Sequence, residues 1–263
     1  MIRVGVIGAA GRMGSTVCRA VDGESDLELV AAVDPAGAGQ PAAAGDGVVV
    51  SGDLDALLSP PVDVAVDFTH PSAVVDNVRW AVEHAVHIVV GTTGWTQDDL
   101  TEIEQRLEKA GGASNVFVAP NFAIGAVLMQ RFAAEAARFF PAVEIIELHH
   151  DGKADAPSGT ALATARRLAG ERAEAYRGPD AETLRGSRGG DVEGVRVHSV
   201  RLPGLVAHQE VILGGPGQVL TIRHDSLDRS SFMPGVLLAI REVGRRPGLT
   251  VGLDSLLERG EPR

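Results

Sequence analysis

The chain has one cysteine, few aromatic residues, no excess of positive charge and no long apolar run. The single thiol, Cys18, excludes an internal disulfide and fits a reducing, cytoplasmic setting. Phe, Trp and Tyr make up 4% of the 263 residues, so the core must rest on Val, Leu, Ile and Ala. No apolar stretch approaches the roughly 18 residues of a membrane-spanning helix. The start, Met1-Ile2-Arg3-Val4-Gly5, is strand-like and is expected to carry no secretory leader. Lys and Arg total 24 against 35 Asp and Glu, a formal net charge of −11. That excludes the broad basic face of a nucleic-acid or anionic-membrane binder. A locally basic pocket for a small anion remains open. No repeat of roughly 20–50 residues points to a solenoid or propeller. There is no G-x-S-x-G elbow of a serine hydrolase. The 8 histidines have no metal-ligand spacing, so no metal is expected.

What is present is 44% apolar and 22% charged, which is enough to fold. The length gives one or two domains at roughly 150 residues each. Short β-branched runs at 2–7, 27–33, 48–50, 62–68, 87–90 and 116–119 alternate with helical stretches, among them 72–84 and 97–109. Strand–helix–strand units of this length require right-handed crossovers and a mostly parallel sheet. The first domain is therefore expected to be a doubly wound α/β dinucleotide-binding domain over 1–120, rejoined by 230–263. The rhythm changes after Pro120. A helix over 124–140 precedes strands at 143–149, 195–201, 208–213 and 219–224. This predicts an α+β domain over 121–229 with an open mixed sheet of about four strands, for substrate binding and oligomerisation. Val195, Val197 and Val200 read as one face of a strand, against Arg196, His198 and Arg201. The apolar face of such a sheet needs cover, and burial between subunits supplies it. The Gly-rich stretch 186–190 reads as a loop. A helix at 232–243 and a strand at 249–253 read as a return to the first domain.

Gly8-Ala9-Ala10-Gly11-Arg12-Met13-Gly14 directly follows the first strand and opens the first helix. Glycines allow a tight turn and close approach of a pyrophosphate to the helix N-terminus. Asp34 ends the second strand, 20 residues beyond Gly14, where an acidic residue accepts from the adenosine ribose 2′-OH. Asp34 favours NADH, whereas Arg12 in the same turn could compensate a 2′-phosphate, so NADH and NADPH both stand as cofactors. Two further strand ends carry Gly91-Thr92-Thr93-Gly94 and Ala119-Pro120-Asn121-Phe122. Ligands of open α/β sheets bind at these carboxyl ends.

The run from Glu147 to Ala161 contains His149-His150, Lys153 and Ser158-Gly159-Thr160. Ser158 reads as an N-cap, leaving the Gly159 and Thr160 amides to meet an anion. With the imidazoles and Lys153 this makes a cationic pocket suited to a carboxylate or dicarboxylate. Taken singly, each feature has an ordinary structural reading: a strand-end His pair, a solvated Lys, a helix cap.

The motifs together resemble the dihydrodipicolinate reductase family of bacterial lysine and diaminopimelate synthesis. The resemblance spans the chain and includes Asp67-Phe68-Thr69. Its most specific part is His149-His150-x-x-Lys153-x-Asp155-x-Pro157-Ser158-Gly159-Thr160. It implies NAD(P)H-dependent reduction of a cyclic unsaturated dicarboxylate, 4-hydroxy-tetrahydrodipicolinate, by a homotetramer. It implies catalytic roles for His149 as proton donor or acceptor and Lys153 as proton donor. His150, Gly159 and Thr160 would bind substrate. Gly8, Ala9, Ala10, Gly11, Arg12, Met13, Asp34, Gly91, Thr92, Thr93, Ala119, Pro120, Asn121 and Phe122 would line the cofactor site. The chain departs from the pattern at Asp151-Gly152, where relatives often carry a basic residue, and at Ala10, where some carry Lys. Two other readings are a nucleotide-sensing regulator without turnover and a small amino-acid dehydrogenase acting on aspartate or homoserine. The second leaves the His149–Thr160 cluster unexplained.

Overall fold

The computed structural model describes residues 1–172 and 181–257. Residues 258–263, which belong to the expected first domain, lie outside the described residues. In chain order the elements begin with β1 (Ile2–Ile7), α1 (Arg12–Asp22), β2 (Leu27–Val33), β3 (Val50–Ser51), β4 (Val64–Asp67) and α2 (Pro71–Glu83). They continue with β5 (His87–Val90), α3 (Gln97–Lys109), β6 (Asn115–Val118), α4 (Ile124–Ala137), β7 (Ala142–His149) and α5 (Gly159–Glu171). Then come β8 (Gly190–Val192), β9 (Val195–Arg201), β10 (Ala207–Gly215), β11 (Gln218–Ser226), α6 (Met233–Val243), β12 (Gly248–Val251) and α7 (Asp254–Leu257). The chain forms two compact units, Met1–Phe122 with Phe232–Arg263, and Ala123–Ser231.

The first unit is a seven-stranded sheet in the order β12-β6-β5-β4-β1-β2-β3, with every pairing parallel. Its central strands are continuous apolar runs, Val64-Ala65-Val66 and Ile88-Val89-Val90, buried on both faces as a helix-covered parallel sheet requires. The core joins strand residues Ile7, Ala65 and Ile88 to Val78 of α2 and to Ile103 and Leu107 of α3. α1 packs on α6. The chain winds outward from β1 to β3, then returns to β4 on the other side of β1. The β1/β4 junction is therefore the topological switch point, where open α/β sheets bind ligands.

The second unit is a mixed sheet in the order β11-β10-β7-β9-β8, with β7 and β9 parallel and the other pairs antiparallel. Every second residue of β7, β9 and β10 faces α4 and α5, so Val143, Ile145, Val197, Val211 and Leu213 pack against Met129, Ala133, Ala165 and Leu168. The opposite face carries Ile146, Leu148 and Ile212 together with the Glu144–His198 and Glu210–Arg223 pairs.

Several boundaries differ from the sequence reading. The sheet has five strands rather than about four, because Gly190–Val192 pairs with β9. Three residues after a glycine run carry too little apolar periodicity to betray a strand. α4 stops at Ala137 rather than 140, since Pro141 disfavours helical geometry in the residue before it. β3 has only two residues. Among the described residues, no helix is long and apolar enough to cross a membrane.

Candidate active site

In the first unit the glycine turn is built by steric necessity. Gly8 has φ +81°, and a Cβ there would lie 2.7 Å from the Phe68 carbonyl oxygen. A Cβ on Gly14 would lie 2.0 Å from the Gly8 carbonyl oxygen, so the first turn of α1 closes on the backbone of the loop. The Gly8 and Ala9 amides donate to the Val33 carbonyl at 2.8 and 3.2 Å, stitching the turn to the end of β2. Asp34 completes it: its Oδ2 accepts from the Ala10 amide at 3.0 Å and its Oδ1 from the Ala36 amide at 2.9 Å. Gly11 is the N-cap of α1 and brings no side chain to the helix end, so that end can meet a phosphate. Ala10, Gly11 and Arg12 are exposed, Ala9 is buried and Met13 half-buried. A cleft of about 380 Å³ runs along the turn, lined by Gly8, Gly11, Asp34, Phe68, Thr69 and His70 among others.

The ends of β4 and β5 are held to this turn by a buried carboxylate. Asp67 Oδ1 accepts from the Thr69 amide at 3.0 Å and from the Thr69 and Thr92 hydroxyls, both at 2.8 Å. Its Oδ2 accepts from Asn77 at 2.7 Å. Burial pushes the Asp67 carboxyl above the ordinary range, and the four donors offset this only in part. The Phe68 ring lies where a Gly91 side chain would be, 2.0 Å from an added Cβ, and it also packs on Phe122 with centroids 5.9 Å apart. The Ala119 amide donates to the Val90 carbonyl at 3.0 Å. The segments Gly91–Thr93 and Ala119–Phe122 are thus drawn to the same strand ends as the glycine turn. Thr93 and Pro120 are exposed, Asn121 half-buried and Thr92 buried.

In the second unit His149 closes β7, half-buried, and the exposed His150 follows it. His149 Nδ1 lies 2.5 Å from Oε2 of Glu147, which is fully buried. Burial pulls the His149 pKa below its ordinary value; Glu147 opposes this, and Lys153 and Arg201 add to it. The Lys153 amide donates to the His150 carbonyl at 3.2 Å, closing the turn after β7. Lys153 Nζ donates to Asp155 Oδ1 at 2.7 Å. Ser158 caps α5, accepting from the Ala161 amide at 3.2 Å. The Gly159 and Thr160 amides lie in the first turn and have no intrahelical acceptor. Gly159 is exposed, and a Cβ built there would meet nothing within 4 Å. The packing of the fold does not demand that glycine. The same turn is anchored below by Thr164, which donates to the Thr160 carbonyl at 2.7 Å and accepts from Gln130 and Gln209, both at 2.9 Å.

Residues 2–122 match the family described as dihydrodipicolinate reductase, N-terminus, and residues 125–257 match its C-terminus. The chain belongs to the dihydrodipicolinate reductase family. It is 56% identical over 261 residues to a 4-hydroxy-tetrahydrodipicolinate reductase of Nocardia farcinica, covering 98% of this chain and 99% of the relative. A Mycolicibacterium smegmatis reductase of the same name is 51% identical over 259 residues, with the same coverage. Among solved structures, a dipicolinate-bound dihydrodipicolinate reductase from Paenisporosarcina sp. TG-14 has a TM-score of 0.87 and 42% identity, covering 97% of this chain and 99% of that one. A probable dehydrogenase from Thermotoga maritima, at 13% identity and a TM-score of 0.63, shares the fold alone.

Two supports of these residues, Glu147 and Arg201, lie outside the His149–Thr160 run that carries the resemblance. Glu147 occupies the row of Val143 and Ile145, where period-two spacing asks for an apolar residue. Arg201 lies on the same face as Val195 and Val197, three and two steps of period two along β9, and Val200 falls on the other face. Arg201 is not on the solvent side with Arg196 and His198, and its side chain is only 18% exposed. A charged residue in phase with a core row is the signal that could have flagged both.

Proposed function

We propose that this chain reduces 4-hydroxy-tetrahydrodipicolinate to tetrahydrodipicolinate with NADH or NADPH, in diaminopimelate and lysine synthesis. The observation that carries the reading is the cluster at the end of β7 and the start of α5. It contains an imidazole on a buried carboxylate, an ammonium group, and a helix N-terminus opened by a glycine that the fold does not need. That set suits a dicarboxylate that must be both gripped and protonated. The glycine turn, with its steric closure and Asp34 at its rim, fits a dinucleotide. When bound, the reduced nicotinamide supplies the hydride.

The residues of the chain do the rest. Gly8–Met13 bring backbone amides to the pyrophosphate, and Asp34 accepts from the ribose hydroxyl. Gly91, Thr92, Thr93 and Ala119–Phe122 leave small or backbone contacts for the nicotinamide half. His150 and the Gly159 and Thr160 amides grip substrate carboxylates and orient the ring. Lys153 exchanges its Asp155 partner for the substrate and gives the proton with which the 4-hydroxyl leaves as water, while the neighbouring ring carbon gives up a proton to solvent and a carbon–carbon double bond conjugated with the imine forms. His149 supplies a proton to the ring once the hydride has arrived. The protein acts in the cytoplasm as a homotetramer assembled through the open face of the second sheet, whose Ile146, Leu148 and Ile212 an assembly would bury.

The test is loss of reduced-nicotinamide absorbance, with NADH and NADPH in turn. The substrate is made in place from pyruvate and aspartate semialdehyde by the preceding synthase. Turnover with either cofactor supports the reading. Cofactor binding without turnover overturns it in favour of a nucleotide sensor.

A further inference from the structure

His149 is held from behind by a group that stands just before the His149–Thr160 run. Glu147 lies two residues upstream on the same face of β7, fully buried, with its Oε2 at 2.5 Å from His149 Nδ1. An ionised carboxylate only accepts, so the hydrogen between them sits on Nδ1 and Nε2 is the nitrogen left for chemistry. The same carboxylate has three other partners. Arg201 of β9 grips it at both oxygens, 2.8 and 2.9 Å. The Ser158 amide donates to Oε1 at 3.3 Å, and the Ser199 hydroxyl adds a further bond. Arg201 also donates to the Asp155 carbonyl at 2.6 Å, the residue whose carboxylate pairs with Lys153. One carboxylate thus reaches the end of β7, the loop that carries Lys153 and the cap of α5.

We propose that Glu147 is a positioning residue, which locks His149 as the Nδ1–H tautomer and favours its protonated form, with Arg201 and Ser158 holding the carboxylate in place. The inference rests on the assignment of His149 as a proton donor made above. The proton ledger is simple. The Nε2–H proton of the imidazolium goes to the substrate ring and the N–H bond breaks. The imidazole is left neutral, with its Nδ1–H still donating to Glu147. The carboxylate stays ionised throughout, kept so by Arg201. The charged groups facing His149 are Glu147 on β7, Lys153 in the following loop and Arg201 on β9. Of these only Glu147 favours the imidazolium, so removing its charge must make His149 a weaker base. A purely structural Glu147–Arg201 staple would instead affect stability and leave the pH dependence of turnover where it was.

The experiment has two arms on the full chain. In the first, the ring nitrogens of ¹⁵N-histidine are observed by NMR near neutral pH, with His149 assigned by its loss in His149→Asn. The expected pattern is a protonated Nδ1 and a bare Nε2. A protonated Nε2 with a bare Nδ1 overturns the proposal. This arm needs no turnover, so an inactive wild-type protein would sink the reductase reading without touching this result. In the second, Glu147→Gln is compared with wild type. The expected loss in kcat is about 100-fold, with unchanged NADH affinity. The alkaline limb of the kcat profile should move about one pH unit toward acid. Glu147→Asp, which keeps the charge, should return the limb toward its wild-type position. A folded Glu147→Gln protein whose limb does not move overturns the proposal. Should Glu147→Gln fail to fold, the tautomer in the wild-type protein decides.

Discussion

Gly159→Ala separates what the fold needs from what the substrate needs. A Cβ at this position meets nothing within 4 Å, and the backbone there is not in the left-handed region. The methyl group therefore costs the folded chain nothing. It also lowers the entropy of the unfolded chain, a gain of about 0.4–1 kcal/mol. For a chain of this size that raises Tm by about 1–4 °C. Binding should move the opposite way. The methyl group stands where a substrate carboxylate would approach the Gly159 and Thr160 amides. Losing a hydrogen bond to a charged group costs about 1.5–3 kcal/mol. That is about a 10- to 150-fold rise in the dissociation constant of a dicarboxylate. Thermal unfolding and calorimetric titration with dipicolinate read the two effects on one sample, and NADH titration serves as the control. A variant that is more stable and binds NADH normally but binds dipicolinate as tightly as wild type would refute the role of the α5 N-terminus. A variant that is clearly less stable would refute the claim that the fold does not need the glycine.

Lys153→Ala should lower kcat by about 10²- to 10⁴-fold while leaving NADH affinity intact, measured by steady-state turnover and fluorescence titration. Asp34→Asn keeps an acceptor for the ribose and for the Ala10 amide but removes the charge. The NADPH-to-NADH ratio of kcat/KM should rise about tenfold, an effect of about 1.4 kcal/mol. Acid unfolding should report Glu147. Burial raises its carboxyl, but Arg201, Ser199 and His149 together outweigh burial and hold it below its ordinary value of 4.5. A depressed native pKa contributes stability that is complete above the unfolded value and is lost as pH falls through the native one. Tm should therefore fall more steeply below about pH 4.5 in wild type than in Glu147→Gln, and parallel curves would contradict this.

The local parts of this protein are legible from its sequence because their causes are local. The glycine turn follows from backbone sterics between Gly8 and Gly14, six residues apart, and the buried strands of the first sheet follow from unbroken Val and Ile runs. The cap at Ser158 and the helix it opens are likewise spelled out within a few residues. The supports of the candidate site are not. Glu147 and Arg201 are 54 residues apart, and they meet only because β7 and β9 pair in parallel, with Glu147 opposite Ser199 and His149 opposite Arg201. A shift of one residue in that register would turn Arg201 to the other face of the sheet. Asp67 and Thr92, 25 residues apart, meet because β4 and β5 are neighbours in the first sheet. The order of strands and their register are properties of the packed whole. The sequence alone determined the glycine turn, the buried strands and the cap of α5. Only the tertiary structure decided that Asp67 stands behind the strand ends of the first sheet and Glu147 behind His149, since a buried carboxylate is tolerable in a core only where distant partners satisfy it.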